Sequence, residues 1–219
     1  MAKSGSISAS APFGNVTLAW SESSQNITNN TTTIAYTLSI YRSSSISSSA
    51  SKKYSIVING STVASGTNTI GGSGTKTLKT GSVTIPHGTD GSKTFSYSFS
   101  QEIAITWGST KVGTLTASGS GVLDTIPRTS KVSLSASSIA LGSTLTIHTN
   151  RASSAFTHTI KYSFNGASGT LYTRTATASP TWTLPASLAD RIPNSTSGSG
   201  TITCETYSGT TLIGSTSAS

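Results

Sequence analysis

Six carboxylates are the groups in this sequence that could perform acid and base chemistry: Glu22, Asp90, Glu102, Asp124, Asp190 and Glu205. Hydrolysis of a glycosidic bond needs two of them facing one bond, about 5 to 9.5 Å apart. Asp90 precedes a glycine and Asp190 lies in a proline-bounded segment, both common turn positions. Nothing in the spacing pairs the others. We therefore predict no catalytic residues and a protein that is not an enzyme, and a polysaccharide-degrading enzyme is the least favoured alternative.

The histidines and the single cysteine give no pattern for a metal site, because no His-x-x-x-His or Cys-x-x-Cys spacing occurs. Alternation places His148 and His158 on opposite faces of their strands. His87, between Pro86 and Gly88, is expected to brace a loop, and Cys204 to be a small buried hydrophobic residue. We predict neither a metal nor a cofactor.

Aromatic side chains are the remaining groups that could bind a ligand. Aromatic rings stack on the apolar faces of sugars, while nearby hydroxyls and amides bind the sugar hydroxyls. Trp20, Trp107 and Trp182 share the parity of neighbouring aliphatic residues, so burial in the core is favoured over a sugar platform. The predicted ligand-binding residues are those off the apolar faces: Tyr41, Tyr172 and Arg174.

Charge and hydropathy exclude two classes of partner. Fourteen basic and six acidic residues give a net charge of +8, but no basic cluster is longer than Lys52-Lys53. We therefore predict no nucleic-acid partner, while diffuse attraction of an acidic polymer stays open. No apolar run approaches the roughly 18 residues of a membrane helix, and none follows Lys3 as a secretory signal requires, so we expect no membrane insertion.

The elements that must position these side chains are β-strands. The chain contains 46 serines and 39 threonines, and these alternate with apolar residues at period two, as in Val16, Leu18 and Trp20. Such alternation indicates antiparallel strands with one buried face. Asn59-Gly60 predicts a two-residue hairpin turn, and Pro185 to Ile192 is the one stretch that could hold a short helical turn.

A boundary is predicted at Asp124 to Ser130, where Pro127 holds the chain extended after a glycine-rich strand. Residues 1–126 contain about eight predicted strands, which suits a jelly-roll-like β-sandwich. Residues 127–219 contain about seven short strands, which suits an immunoglobulin-like β-sandwich without its Cys-Trp-Cys pattern. The predicted fold class is all-β, with these two domains in that order.

Three segments resemble tail structural and adhesion proteins of long-tailed bacteriophages (siphophages) of Gram-positive bacteria: Met1 to Ile7, Ile85 to Lys93 and Asp124 to Ser130. The resemblance implies a virion tail protein that is synthesised in the host cytoplasm and has other tail proteins as partners. Such proteins are often longer, so the resemblance leaves open whether this chain is a fragment of a longer protein.

Two functions follow as alternatives. The first is a non-enzymatic protein at or near the tail tip that contributes to host attachment, with host cell-wall polysaccharide as the ligand. The second is an assembly scaffold without a host ligand. Homo-oligomerisation stays open for both.

Overall fold

The computed structural model describes residues 3–219 and confirms the predicted all-β sandwich fold. The contacts divide the chain into two compact units, Met1–Ile126 (unit 1) and Pro127–Ser219 (unit 2). Met1 and Ala2, with which the resemblance begins, lie outside the described residues. Each unit is described by itself below.

Unit 1 consists of two four-stranded antiparallel sheets, ordered β1-β2-β3-β6 and β5-β4-β7-β8. The eight strands match the number predicted for a jelly-roll-like sandwich. They are β1 (Ser4–Ala11), β2 (Gly14–Asn26), β3 (Thr31–Ile46), β4 (Ser51–Ile58), β5 (Ser61–Thr69), β6 (Gly72–Pro86), β7 (Thr94–Trp107) and β8 (Thr110–Val122).

The predicted hairpin at Asn59-Gly60 joins β4 to β5. Both residues have positive φ, 51° and 78°, as a type I′ turn requires, and asparagine and glycine tolerate that conformation best. This turn fixes the register in which Ile58 pairs with Ser61. The local sequence therefore sets the pairing nearest the turn, up to the bulge between Ile56 and Val57.

The core of unit 1 is closed around an aromatic cluster. Trp20 is 5% exposed, and its ring lies 5.0 Å from Phe95 and 6.1 Å from Tyr97 in edge-to-face contacts. Glycine at position 121 makes room for this packing, because a Cβ there would lie 2.6 Å from Trp20. The prediction of a core tryptophan is confirmed for Trp20, whereas Trp107 is only half-buried beside Phe13.

The sequence Gly71-Gly72-Ser73-Gly74 is typical of a flexible loop, but the structure holds this segment in place, and β6 begins within it. The buried guanidinium of Arg42 donates hydrogen bonds to the carbonyl oxygens of Ile70, Gly71, Ser73 and Gly74. The glycine pattern predicts flexibility only when no distant side chain binds the carbonyls. Here Arg42 supplies those bonds from β3.

Unit 2 has seven strands in a three-stranded sheet, ordered β13-β10-β9, and a four-stranded sheet, ordered β12-β11-β14-β15. This is the strand number predicted for an immunoglobulin-like sandwich, but the fourth strand, β12, pairs with β11 rather than with β13 as in a constant-type domain. The strands are β9 (Ser133–Leu134), β10 (Thr144–His148), β11 (Phe156–Phe164), β12 (Ala167–Thr175), β13 (Thr181–Thr183), β14 (Gly200–Ser208) and β15 (Thr211–Ala218).

The two sheets of unit 2 differ in length. Strands of the larger sheet have eight or nine residues, whereas the longest strand of the smaller sheet, β10, has five. At about 3.3 Å per residue, the larger sheet extends roughly 10 Å further. A 3-10 helix, Ala186–Arg191, lies in the stretch for which a helical turn was predicted. No helix in residues 3–219 is long and apolar enough to span a membrane.

Candidate ligand-binding cleft

A cleft of about 610 Å³ opens in unit 2 beside the end of β11 and the start of β14, where the larger sheet extends past the smaller one. The segments that face this overhang are the connection between β9 and β10 and the stretch from Leu184 to Gly198, which contains the 3-10 helix. Its volume lies within the roughly 300 to 1,000 Å³ of small-molecule sites. We call it the unit 2 cleft.

Two stacked rings form one wall of the unit 2 cleft. Tyr162 on β11 and Trp182 on β13 have ring centroids 4.7 Å apart with an interplanar angle of 32°. Glycine at position 169 is needed here, because a Cβ would lie 2.8 Å from Cε1 of Tyr162. Both rings are half-buried and line the cleft. Trp182, predicted to be a core residue, thus packs against the core while part of its surface remains accessible.

The remaining lining is apolar, with hydroxyl groups and no charged side chain. Leu134, Leu145 and Ile202 contribute aliphatic surface, and none of the lining residues is Asp, Glu, Lys, Arg or His. The hydroxyl-bearing residues of the lining are Ser137, Ser138, Ser163, Thr196, Ser197, Thr201 and Ser219. Apolar walls with a few hydroxyls are the surroundings that an uncharged polar ligand with apolar faces requires.

Tyr172 does not line the unit 2 cleft but supports it. Alternation predicted an outward ring. Register shifts where β12 pairs with β11, around Ile160, turn both Leu171 and Tyr172 toward the core. The Tyr172 hydroxyl donates a 2.5 Å hydrogen bond to the carbonyl of Thr181. Because Thr181 precedes Trp182, this bond fixes the strand that presents the indole ring.

Arg174 lies on the outer face of the same sheet, away from Tyr172. Its guanidinium carbon is 3.4 Å from the centroid of Tyr207, and it donates hydrogen bonds to the carbonyls of Gly209 and Thr210 in the β14–β15 turn. Beside it, Lys161 binds Glu205, and this bond lowers the pKa of Glu205 and raises that of Lys161. The structure therefore does not bring Tyr172 and Arg174 together.

Tyr41 is 47% exposed on the outer face of the β1-β2-β3-β6 sheet of unit 1. The register aligns it with Ser10, Asn15 and Thr75. The three neighbouring rows contain only serine, threonine and alanine: Ser4, Ser21, Ala35 and Ser82, then Ser6, Ala19, Thr37 and Thr80, then Ser8, Thr17, Ser39 and Thr77. We call these four rows the hydroxyl face. Tyr41 is its single aromatic ring.

Most of the carboxylates have local structural partners. Glu22 accepts from the backbone of Asp124 and Lys3, Glu102 accepts from the backbone of Lys53, and Asp90 accepts from Ser92. Hydrogen bonds from the Ser92 backbone and hydroxyl lower the pKa of Asp90. Glu22 and Asp124 are neighbours beside Lys3, whose Nζ lies 3.5 Å from an oxygen of Asp124, while the contacts of Asp90 and Glu102 hold a turn and a pair of strands.

The histidines and the cysteine also have structural surroundings. His87 bridges Thr32 and the carbonyl of Gly91, so the prediction that it braces a loop is confirmed. His158 is buried, with Nε2 2.9 Å from the Ser130 hydroxyl. Burial raises the pKa of the Cys204 thiol to about 11, and the neighbouring Glu205 adds to this. No group of three His, Cys, Asp or Glu residues that could hold a metal is present in residues 3–219.

The sequence pattern did not predict the unit 2 cleft, although it predicted that the side chain of Tyr162, which lines the cleft, faces inward. Tyr162 shares its parity with Phe156, His158 and Ile160, which indicates an inward position. The available signal was the shortness of the strand that contains Trp182, which has only three residues, Thr181–Thr183. So short a strand leaves the end of a longer neighbouring sheet uncovered.

Comparison with known proteins gives a family without an assigned activity. A family described as "Siphovirus protein of unknown function (DUF859)" matches residues 8–219. No protein of curated function shows significant similarity to the chain.

Proposed function

The chain belongs to this family of siphovirus proteins of unknown function, and from that premise we propose that it is a non-enzymatic virion protein at or near the tail tip that contributes to host attachment. The ligand in this proposal is a saccharide of the host cell wall, bound in the unit 2 cleft. Synthesis in the host cytoplasm, a Gram-positive host and assembly with other tail proteins are parts of the same proposal.

The observation that carries the proposal is the ring pair in a cleft with hydroxyl groups. Tyr162 and Trp182 present partly accessible aromatic surface, and Ser137 and Thr196 are among the hydroxyl residues that line the same cleft. Aromatic surface binds the C–H face of a pyranose, and hydroxyl groups exchange hydrogen bonds with those of the sugar. Tyr172 enters as a positioning residue for Trp182, through its bond to Thr181.

A purely structural tail scaffold is the second candidate, and the hydroxyl face favours it. That face is wide and uncharged, so a neighbouring virion protein or a second copy could pack on it without desolvating charge. Serine and threonine also lose little side-chain entropy on burial compared with lysine or arginine. In this alternative Tyr41 contacts a protein rather than a saccharide, and Arg174 only stabilises the β14–β15 turn.

Sedimentation of the purified full chain with host cell walls separates the two candidates. Tyr162→Ala and Tyr41→Ala form a matched pair, because each removes one tyrosine ring, the first from the unit 2 cleft and the second from the hydroxyl face. We expect the wild type and Tyr41→Ala to bind walls and Tyr162→Ala to lose binding. Absence of wall binding by the wild type would leave the scaffold as the better account.

Two further measurements test the remaining parts of the proposal. Labelled protein or antibody imaged on intact virions should mark the tail tip, and label on the capsid would contradict a tail protein. Incubation of the protein with host walls should release no reducing sugar. Release that depends on any of the six carboxylates would establish the hydrolytic alternative.

A further inference from the structure

We infer that the unit 2 cleft selects an uncharged glycan and excludes the phosphate-bearing or carboxylate-bearing polymers of a cell wall. This inference rests on the proposed function and adds the chemical class of the ligand. Its basis is a contrast within one molecule: the chain carries a net charge of +8, yet the cleft lining contains no charged side chain.

No lysine, arginine or histidine lines this cleft, so an anionic group inside it would find no cation among the lining residues. Arg191, between the lining residues Leu188 and Ile192, is exposed and is not part of the lining. Lys161 precedes Tyr162 but points to the opposite face of the sheet, where it binds Glu205. Arg174 lies on that outer face as well, over Tyr207. Burying an unpaired phosphate or carboxylate costs several kcal/mol, which stacking on two rings does not offset.

An uncharged glycan can be buried in this cleft with its hydroxyl groups hydrogen-bonded. Serine and threonine hydroxyls both donate and accept hydrogen bonds, as sugar hydroxyls do, so either partner can reorient to satisfy the other. Burying neutral hydroxyls between such partners leaves no charge without a counterion. The apolar remainder of the lining, Leu134, Leu145 and Ile202 among others, suits the C–H faces of the sugar rings.

The experiment uses host walls solubilised with a muramidase and separated on an anion exchanger into a neutral and an anionic carbohydrate fraction. Both fractions are immobilised at equal sugar mass, and binding of the full chain is measured between about 0.1 M and 1 M salt, over which the screening length falls from about 10 Å to about 3 Å. Trp182→Ala tests the cleft, and Trp107→Ala is the matched control in unit 1.

We expect the wild type to prefer the neutral fraction, with an affinity that is nearly constant across the salt series. Trp182→Ala removes a stacking ring together with its apolar contact area and should weaken binding about tenfold or more, while Trp107→Ala should not. Preference for the anionic fraction that still depends on Trp182 would overturn the inference and leave the saccharide cleft standing. Binding of neither fraction, or binding that is indifferent to Trp182, would contradict the proposed function itself.

Discussion

Unit 1 and unit 2 are built from the same serine-rich and threonine-rich alternating strands, but the pair of neighbouring, partly exposed rings that lines a cleft, Tyr162 and Trp182, belongs to unit 2. In unit 1 both sheets have long strands, and Trp20, Phe95 and Tyr97 meet between them with little exposure. In unit 2 the smaller sheet is too short to cover β11 and β14. The difference teaches that the unequal lengths of its two sheets, rather than a different composition, account for the position of the unit 2 cleft.

The two units also differ in how their sheets are tied together. The core cluster of unit 1 extends along the whole sandwich from Phe13 to Leu123, whereas that of unit 2 is built on Leu145, Ile147, Ile160 and Ile202. The stacked pair Tyr162 and Trp182 adds a contact between the two sheets of unit 2 at the wall of the cleft. The same rings therefore serve the stability of unit 2 and, in our proposal, its binding.

Separating the units tests whether the comparison is between two independent structures. Each contains its own pair of sheets and its own buried cluster, so chains covering residues 1–126 and 127–219 should each unfold in one cooperative transition. Circular dichroism during urea titration measures this. A unit that is unfolded alone while the full chain is folded would show that the core of that unit is incomplete by itself.

Replacing one tryptophan in each unit should give unequal losses of stability. Trp20→Ala removes a buried ring and should lower the free energy of unfolding of unit 1 by roughly 3 to 5 kcal/mol. Trp182→Ala removes a ring that is partly exposed and should cost unit 2 roughly 1 to 2 kcal/mol. Calorimetry of the full chain follows both transitions. Equal losses would mean that Trp182 is as much a core residue as Trp20.

Gly169→Ala tests the close packing behind the cleft wall. The added methyl would lie 2.8 Å from Tyr162 Cε1, so the ring must shift, at a cost of roughly 1 to 3 kcal/mol for overpacking. We expect lower stability of unit 2 together with weaker wall binding. Gly113→Ala in unit 1 is the control, because its methyl meets no atom within 4 Å. Equal behaviour of the two variants would mean that Tyr162 is not held against β12.

Acid should destabilise unit 2 through His158. Burial, with a smaller effect of Arg151, lowers the pKa of His158 below 6.5, and its Nδ1 is buried without a hydrogen-bond partner. The unfolded chain therefore binds the proton first, so stability from this group is complete above about pH 6.5 and is lost as the pH falls toward the lowered pKa. His158→Gln should flatten the melting temperature of unit 2 against pH in that range. An unchanged slope would assign the acid sensitivity to other groups.

Much of the fold could be predicted from alternation and turn residues, because a period of two assigns each side chain to one face of its strand. The Asn59-Gly60 hairpin and the inward face of Trp20 were predicted in this way and are confirmed. Alternation failed at Tyr172, where β-bulges reverse the face. The glycine pattern of Gly71 to Gly74 predicted a flexible loop wrongly, because Arg42 binds its carbonyls from a distant strand. The cleft was not predicted because it depends on the relative length of two sheets, which no local pattern encodes.

The central claim, that unit 2 binds wall saccharide in its cleft while unit 1 remains closed, is tested most directly by tryptophan quenching in the full chain. The variant Trp107→Phe retains Trp182 as its accessible indole, and the variant Trp182→Phe retains Trp107. Both variants also contain the buried Trp20. Added neutral wall carbohydrate should protect the fluorescence of Trp107→Phe from acrylamide and leave that of Trp182→Phe unchanged. Protection that persists in Trp182→Phe, or that is absent from Trp107→Phe, would contradict the account.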